Sequence, residues 1–120
     1  MSTINQIIER VDAVKPNAYS EEQKAEWIHN LDGRISREIL KENPPQKYMY
    51  PEDGDRELLA PYPHDSMYDY YVRAMIDFAN KEYNSYNKSV ILYNEAFEAY
   101  AKLYQREHMP KSKGGFKNLI

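Results

Sequence analysis

The sequence contains no cysteine and only four glycines among its 120 residues. Without thiols the chain has no disulfide framework, no thiolate zinc site and no cysteine nucleophile, and it suits a reducing cytosol. None of the glycines belongs to a glycine-rich phosphate loop, because the adjacent pair, Gly114 and Gly115, lies in a lysine-rich tail. These two shortages exclude thiol chemistry and leave nucleotide binding of the usual kinds unsupported.

Long hydrophobic runs and a strong charge of one sign are missing as well. No window approaches the roughly 18 apolar residues of a membrane span. Residues 1–14 lack the basic segment and the continuous apolar stretch of a signal peptide. The net charge of −3 gives no global indication of a nucleic-acid or membrane partner. We therefore expect a soluble protein that is neither exported by a signal peptide nor bound to a membrane.

The charge is unevenly distributed along the chain. Residues 1–110 hold 13 Lys and Arg against 19 Asp and Glu, whereas the last ten residues add Lys111, Lys113 and Lys117 and no acid. The length is enough for one hydrophobic core and too short for two. We predict a single helical domain over residues 1–110, followed by a flexible basic tail over residues 111–120.

Two short helices are predicted in the first third of the chain. Thr3 or Ser2 can cap the first, and Pro16 ends it because proline disfavours helical backbone at the residue before it. Ser20 caps the second, with Gln23 three residues later as in a capping box, and this helix extends to about Glu42. The apolar residues at helical spacing are Ile4, Ile7, Ile8, Val11 and Val14 in the first helix and Trp27, Ile28, Leu31, Ile35 and Ile39 in the second.

Residues 43–63 hold five of the seven prolines. This composition predicts a long loop, either without regular structure or with a small two-stranded hairpin that turns at Asp53 and Gly54. A loop of this length in a small domain is usually functional or mobile.

A helical pattern then continues from Asp65 or Ser66 to about His108 in constant phase. One straight helix of that length would measure about 65 Å, whereas a compact domain of this size has a radius of gyration of roughly 14 Å. Either the helix bends, with residues 84–87 as the expected place, or it projects and is covered by another subunit. The predicted fold is all-α, with two short N-terminal helices, a proline-rich loop and one long helix or bent helix pair.

Tyrosine is abundant, with eight of its 12 occurrences between Tyr68 and Tyr104. Tyr86, Tyr93 and Tyr100 are spaced by seven residues, which is typical of a helix packed along a narrow seam. Tyrosine is also enriched at surfaces that are buried on assembly. A second strip lies on the opposite side of the same helix and either meets another subunit or packs on the first helix; its residues are Ile76, Tyr83, Asn87, Ile91 and Asn94.

Candidate catalytic and metal-binding residues are few. His29, His64 and His108 lie on separate segments, and His29 with Asp32 gives only two ligands, so no metal site is predicted. Glu82 falls at the centre of the predicted apolar face. A buried carboxylate must be paired or protonated, so we expect a salt bridge to Arg34 or Arg37, or local exposure at a bend. An enzyme built on Glu82 and nearby tyrosines is the less favoured interpretation, and no catalytic or cofactor residue is predicted.

Two segments together resemble a known class of proteins. Residues 15–39, "KPNAYSEEQKAEWIHNLDGRISREI", and residues 61–111, beginning "PYPHDSMYDYYVRAMIDFANKEYNSYNKSVILYNEAFEAYAKLY", cover about 60% of the chain. Their overall pattern is similar to that of the small helical head-tail connector, or head-completion, proteins of tailed bacteriophages and prophages. The chain differs from that pattern in its tyrosine density and in the length of its proline-rich loop.

The resemblance implies a non-enzymatic virion structural protein, present in the bacterial cytoplasm during assembly. Such proteins form a ring beneath the portal, extend the DNA channel and dock later head-tail joining proteins, and they use no cofactor. A subsidiary hypothesis is that Lys111, Lys113 and Lys117 make low-affinity contact with DNA in the channel. The alternative that the sequence leaves open is a small regulatory module, of phage or bacterial origin, that binds another protein.

Overall fold

The structure is a computed structural model that describes residues 2–108. Within these residues four α-helices are formed: α1 (Ile4–Val14), α2 (Glu21–Ile35), α3 (Ser66–Ala79) and α4 (Tyr83–His108). A π-helical turn, Ser36–Leu40, continues α2. The described part of the chain contains no β-strand, and its extended pairing is limited to an isolated antiparallel bridge between Thr3 and Glu57. The predicted all-α class is therefore confirmed.

The caps of the first two helices follow the sequence signals. Thr3 Oγ1 accepts a hydrogen bond from the Gln6 backbone N–H at 3.2 Å, and Gln6 Oε1 accepts one from the Thr3 N–H at 3.0 Å, which completes a capping box. Ser20 Oγ accepts from the Gln23 N–H at 3.0 Å at the start of α2. These side chains satisfy N–H groups that would otherwise lack partners in the first turn.

The second helix ends slightly earlier than predicted. Its final π-helical turn closes at Leu40, and Lys41 adopts a left-handed conformation with φ of 58°. The Glu42 N–H then bonds back to the Ser36 carbonyl at 2.9 Å. The chain enters the proline-rich segment directly from this turn.

The proline-rich segment has no hairpin strands. A turn forms at Asp53 and Gly54, where Asp53 Oδ2 accepts from the Met49 N–H at 2.7 Å. The segment is also bonded to the N-terminus of α1: the Asn5 N–H donates to the Gly54 carbonyl and the Leu58 N–H to the Ser2 carbonyl, both at 2.9 Å. Between α2 with its π-helical turn and α3, the chain forms turns, bends and one bridge position, without the strands of a hairpin.

Helices α3 and α4 form an antiparallel hairpin. Tyr71 packs against Tyr93 with ring centroids 5.2 Å apart, and seven residues further along α3, Phe78 packs against Tyr86 at 5.3 Å. The partner on α4 thus moves backwards as the chain advances along α3. The long helical pattern is a bent pair, and the bend lies at residues 80–82 rather than at the expected residues 84–87.

The bend is a Schellman motif whose left-handed position is occupied by lysine. Lys81 has φ of 62°, its N–H bonds to the Phe78 carbonyl at 3.0 Å, and the Glu82 N–H bonds to the Asp77 carbonyl at 2.8 Å. Glycine normally marks this position, and because lysine stands there instead, the residue pattern contains no clear stop signal.

The core lies where α1, α2, α3 and the inner side of α4 meet. Ile76 is fully buried there. The largest fully buried side chains are Tyr68, Ile4, Ile7, Ile28, Leu31, Ile35, Leu58, Met67, Ile76, Val11, Val72 and Asp32. From α4 the core receives Tyr93, Phe97 and Tyr100.

Candidate interaction surface

Four residues of the predicted second strip lie exposed along the first half of α4. Tyr83 and Ile91 are 54% and 58% exposed, and Asn87 and Asn94 are exposed beside them. We call these four residues the α4 strip. They recur over three turns of the helix, on a side that the rest of the described chain does not cover.

Ile76 does not belong to the α4 strip. It lies on α3 and is completely buried, so its proposed role in an interface is wrong. The prediction placed Ile76 and Ile91 on one helical face because it treated residues 65–108 as continuous. The reversal at residues 80–82 breaks that relation, and the Ile76 side of α3 turns inward.

An aromatic corner adjoins one end of the strip. Phe78, the last large residue of α3, is 54% exposed and packs against Tyr83 and Tyr86 with centroid distances of 6.2 and 5.3 Å. The exposure of Phe78 extends the apolar area of the α4 strip around the bend of the hairpin, because Tyr83 belongs to both the strip and the aromatic corner.

The inner side of α4 is attached through Arg34 of α2. Arg34 Nη1 donates a hydrogen bond to the Tyr93 hydroxyl at 2.6 Å, and the guanidinium carbon lies 4.2 Å from the centroid of the Phe97 ring. Arg34 Nε also pairs with Glu38 at 2.9 Å. Burial raises the pKa of Tyr93 to about 12, with Arg34 opposing the shift. The guanidinium of Arg34 therefore connects α2 to α4 and stabilises the partly solvated contact between these helices at Tyr93 and Phe97.

Glu82 has a different partner from the one predicted. Its Oε1 lies 3.0 Å from Nζ of Lys15, whereas Arg34 and Arg37 do not pair with it. The Glu82 side chain is 51% exposed at the bend. Local exposure was one of the expected outcomes, and the helical wheel was misleading because Glu82 lies between the helices and not within one.

Asp32 forms a buried polar cluster that sequence reasoning missed. The carboxylate is fully buried and accepts hydrogen bonds from the hydroxyls of Tyr68 at 2.5 Å and Tyr48 at 2.7 Å. The Tyr68 hydroxyl in turn accepts from the Ala60 N–H at 2.9 Å. Since Tyr48 and Ala60 belong to the proline-rich loop, this cluster fixes the loop to α2 and α3.

Desolvation dominates the electrostatics of the Asp32 cluster. It raises the pKa of Asp32, although the two tyrosine hydrogen bonds act in the opposite direction. Burial and the adjacent carboxylate raise the pKa values of Tyr48 and Tyr68. A signal was present in the sequence, because Asp32 lies at helical spacing between the buried residues Ile28 and Ile35.

The histidines remain separate. His29 packs against the Tyr48 ring at 4.7 Å, His64 against Tyr100 at 5.2 Å, and His108 stacks on Tyr104 at 3.8 Å. No group of three or more potential metal-ligating side chains occurs among residues 2–108. No helix in the same range has both the length and the apolar character needed to cross a membrane.

Comparison of the chain with protein-family models, with curated proteins and with solved structures found no match. The tail lysines Lys111, Lys113 and Lys117 lie outside the described residues.

Proposed function

We propose that the chain is a structural subunit of a phage or prophage particle, a head-tail connector that forms a ring beneath the portal and docks later adaptor proteins. The proposal originates in the resemblance of residues 15–39 and 61–111 to such proteins. The observation that carries it further is the exposure of the α4 strip, whose Tyr83 and Ile91 are more than half exposed.

Helix α4 has the form expected of an assembly element. It contains 26 residues and is therefore about 39 Å long, yet only Ser89, Tyr93, Phe97 and Tyr100 are buried. An isolated exposed apolar residue is unremarkable, but the strip joins the aromatic corner at Phe78 into a larger apolar area. Tyrosine and asparagine suit an interface that is wet before assembly, since both retain hydrogen-bonding groups for a partner.

The proposed ring sets a geometric requirement. A ring of identical subunits needs a heterologous interface, in which two different surfaces of each subunit meet. The α4 strip would be one of these surfaces. The assembled particle determines which surface of the neighbouring subunit meets the α4 strip. It also determines the number of subunits and the contact with the portal.

The tail carries a subsidiary proposal. Lys111, Lys113 and Lys117 would contact DNA phosphates in the channel through sequence-independent electrostatic attraction. Deletion of residues 110–120 should then reduce DNA retention in particles. Unchanged assembly and DNA retention after this deletion would remove the tail from the proposed function.

The test of the connector proposal is the mass of the full chain, measured by native mass spectrometry alone and with the portal protein encoded in the same genome. We expect a defined multimer on the portal, in which many copies of this chain are present per complex. A stable monomer or dimer that ignores the portal and forms a one-to-one complex with another protein would favour the regulatory module instead.

A further inference from the structure

We propose that a concave site between the end of α1, the second half of α3 and the first two turns of α4 binds a phosphate group. We call this site the α1–α3–α4 cleft. It has a volume of about 240 Å³, and the polar side chains that line it are Lys15, Arg73, Asp77, Ser85, Lys88 and Ser89. This inference does not depend on the connector proposal.

The cleft concentrates positive charge in an otherwise acidic body. Lys15, Arg73 and Lys88 line it together with a single acid, Asp77, although residues 1–110 carry more acidic than basic side chains. A second cleft, of about 600 Å³ on another side of α1, has the opposite character: Glu9, Asp12 and Glu21 line it, without a lysine, arginine or histidine. The positive charge of this cleft is therefore local and does not reflect the average charge of the protein surface.

The one acid that lines the cleft is paired with Lys15. Asp77 Oδ1 lies 2.8 Å from Lys15 Nζ, and Asp77 Oδ2 accepts from the Ser89 hydroxyl at 3.2 Å. The Asp77 side chain is almost completely buried. This ion pair forms the floor of the cleft. Because Lys15 also pairs with Glu82, the positive charge that is available to a ligand comes from Arg73 and Lys88.

Unused hydrogen-bond donors surround this floor. Among residues 2–108, neither Arg73 nor Lys88 lies within ion-pair distance of a carboxylate. Lys15 Nζ lies 2.8 Å from Asp77 Oδ1 and donates to Glu82 Oε1 at 3.0 Å, so two carboxylates already engage this ammonium group. Arginine and lysine with a serine hydroxyl are the donor set that proteins use for phosphate oxygens. A phosphate monoester or free phosphate, which is anionic and accepts several hydrogen bonds, matches the cations of Arg73 and Lys88 and the hydroxyl of Ser85.

The test is a two-dimensional NMR titration of the full chain with inorganic phosphate at about pH 8, where the dianion predominates. Sodium chloride keeps the ionic strength constant, so that general screening does not change during the titration. We expect saturable shifts confined to the amides around Lys15, Arg73 and residues 85–89. A parallel titration with glycerol phosphate identifies the source of the group, because the tighter of the two probes shows whether the site takes an ester or the free ion.

Two variants and one control make the titration decisive. Lys88→Gln and Arg73→Gln should each weaken phosphate binding by about 10-fold, since each removes a charge-assisted hydrogen bond from a half-exposed site. Lys102→Gln, which lies on the same helix outside the cleft, should leave the affinity unchanged. Circular dichroism of each variant establishes that the helices are retained, and Lys88 is the safer substitution because it is exposed and makes no ion pair among the described residues.

Three results would overturn the proposal. The first is a phosphate titration that shows scattered or unsaturable shifts. The second is equal affinity in the wild-type protein and both cleft variants. The third is a shift of the cleft amides by duplex DNA with no response to either phosphate probe, which would assign the site to a nucleic-acid backbone.

Discussion

Helices α3 and α4 form one hairpin, yet they are enclosed to very different extents. Six of the 14 residues of α3 are buried, against four of the 26 residues of α4. Helix α3 packs on α1, α2 and α4, whereas α4 rests on α3 and the end of α2 along a single narrow stripe. Helix α3 therefore belongs to the core, whereas α4 exposes most of its surface to solvent.

Tyrosine shows the same contrast at the level of single side chains. The hydroxyl of Tyr68 on α3 is buried and bonded to Asp32, while the ring of Tyr83 on α4 is more than half exposed. One residue type therefore has two uses here. Enclosed tyrosines require an internal polar partner, and exposed ones keep their hydroxyls available for water or for another molecule.

The largest expected effect comes from removing the polar partner of the enclosed tyrosines. Asp32→Ala leaves the hydroxyls of Tyr48 and Tyr68 without their acceptor and creates a cavity, so the free energy of unfolding should fall by about 3–5 kcal/mol. Urea denaturation measures this change. Glu95→Ala, an exposed carboxylate on α4, is the matched control and should stay within about 0.5 kcal/mol of wild type. Similar values for the two variants would contradict the role of the Asp32 cluster.

The second prediction separates two isoleucines that a continuous helix would place on one strip. Ile76→Ala should destabilise the protein by about 2–5 kcal/mol because Ile76 is fully buried. Ile91→Ala should change stability by no more than about 0.5 kcal/mol, since Ile91 is 58% exposed. Thermal or urea denaturation of both variants checks the pair. Comparable losses would mean that residues 65–108 form one helix with a shared face.

A smaller effect is expected at the seam between α4 and α2. Tyr93→Phe removes the hydroxyl that accepts from Arg34 at 2.6 Å, and the free energy of unfolding should fall by about 1–2 kcal/mol. Tyr83→Phe is the control, because no intramolecular hydrogen bond to the Tyr83 hydroxyl exists among the described residues. Equal unfolding energies for the two variants would show that the Arg34 contact adds nothing to stability.

The smallest expected effect is a dependence on pH that distinguishes Asp32 from the exposed acids. Burial raises the pKa of Asp32 above its unfolded value, so the folded state retains a proton that the unfolded chain releases. The contribution of this group is therefore fully present below the unfolded pKa and is lost as pH rises through the folded pKa.

The measurement is the unfolding free energy of wild type minus that of Asp32→Asn, followed from about pH 4 to about pH 7. This difference should decrease as pH rises. An increase would show that the two tyrosine hydrogen bonds outweigh desolvation and hold Asp32 as a stabilised carboxylate.

The sequence was sufficient for those parts of the fold that local chemistry decides. Thr3, Ser20 and Pro16 predict the start of α1, the start of α2 and the end of α1, because capping and proline geometry act within one turn. The all-α class follows from the spacing of apolar residues. The irregular loop follows from its prolines.

The remaining features depend on contacts between residues that are distant in the chain, or on a residue that is unusual for its backbone conformation. The bend between α3 and α4 was misplaced because Lys81, and not glycine, occupies the left-handed position. Ile76 was assigned to the wrong surface as a direct consequence. The partners of Asp32 lie 16 and 36 residues away in the chain, and spacing within one helix cannot reveal them.

We propose that the α4 strip is a contact surface for assembly and not part of the fold. Its most direct test is Ile91→Glu, measured by native mass spectrometry with the portal protein and by thermal denaturation without it. We expect an unchanged melting temperature together with loss of the multimer on the portal, while Lys102→Glu retains both. A multimer that survives Ile91→Glu, or a variant that fails to fold, would contradict it.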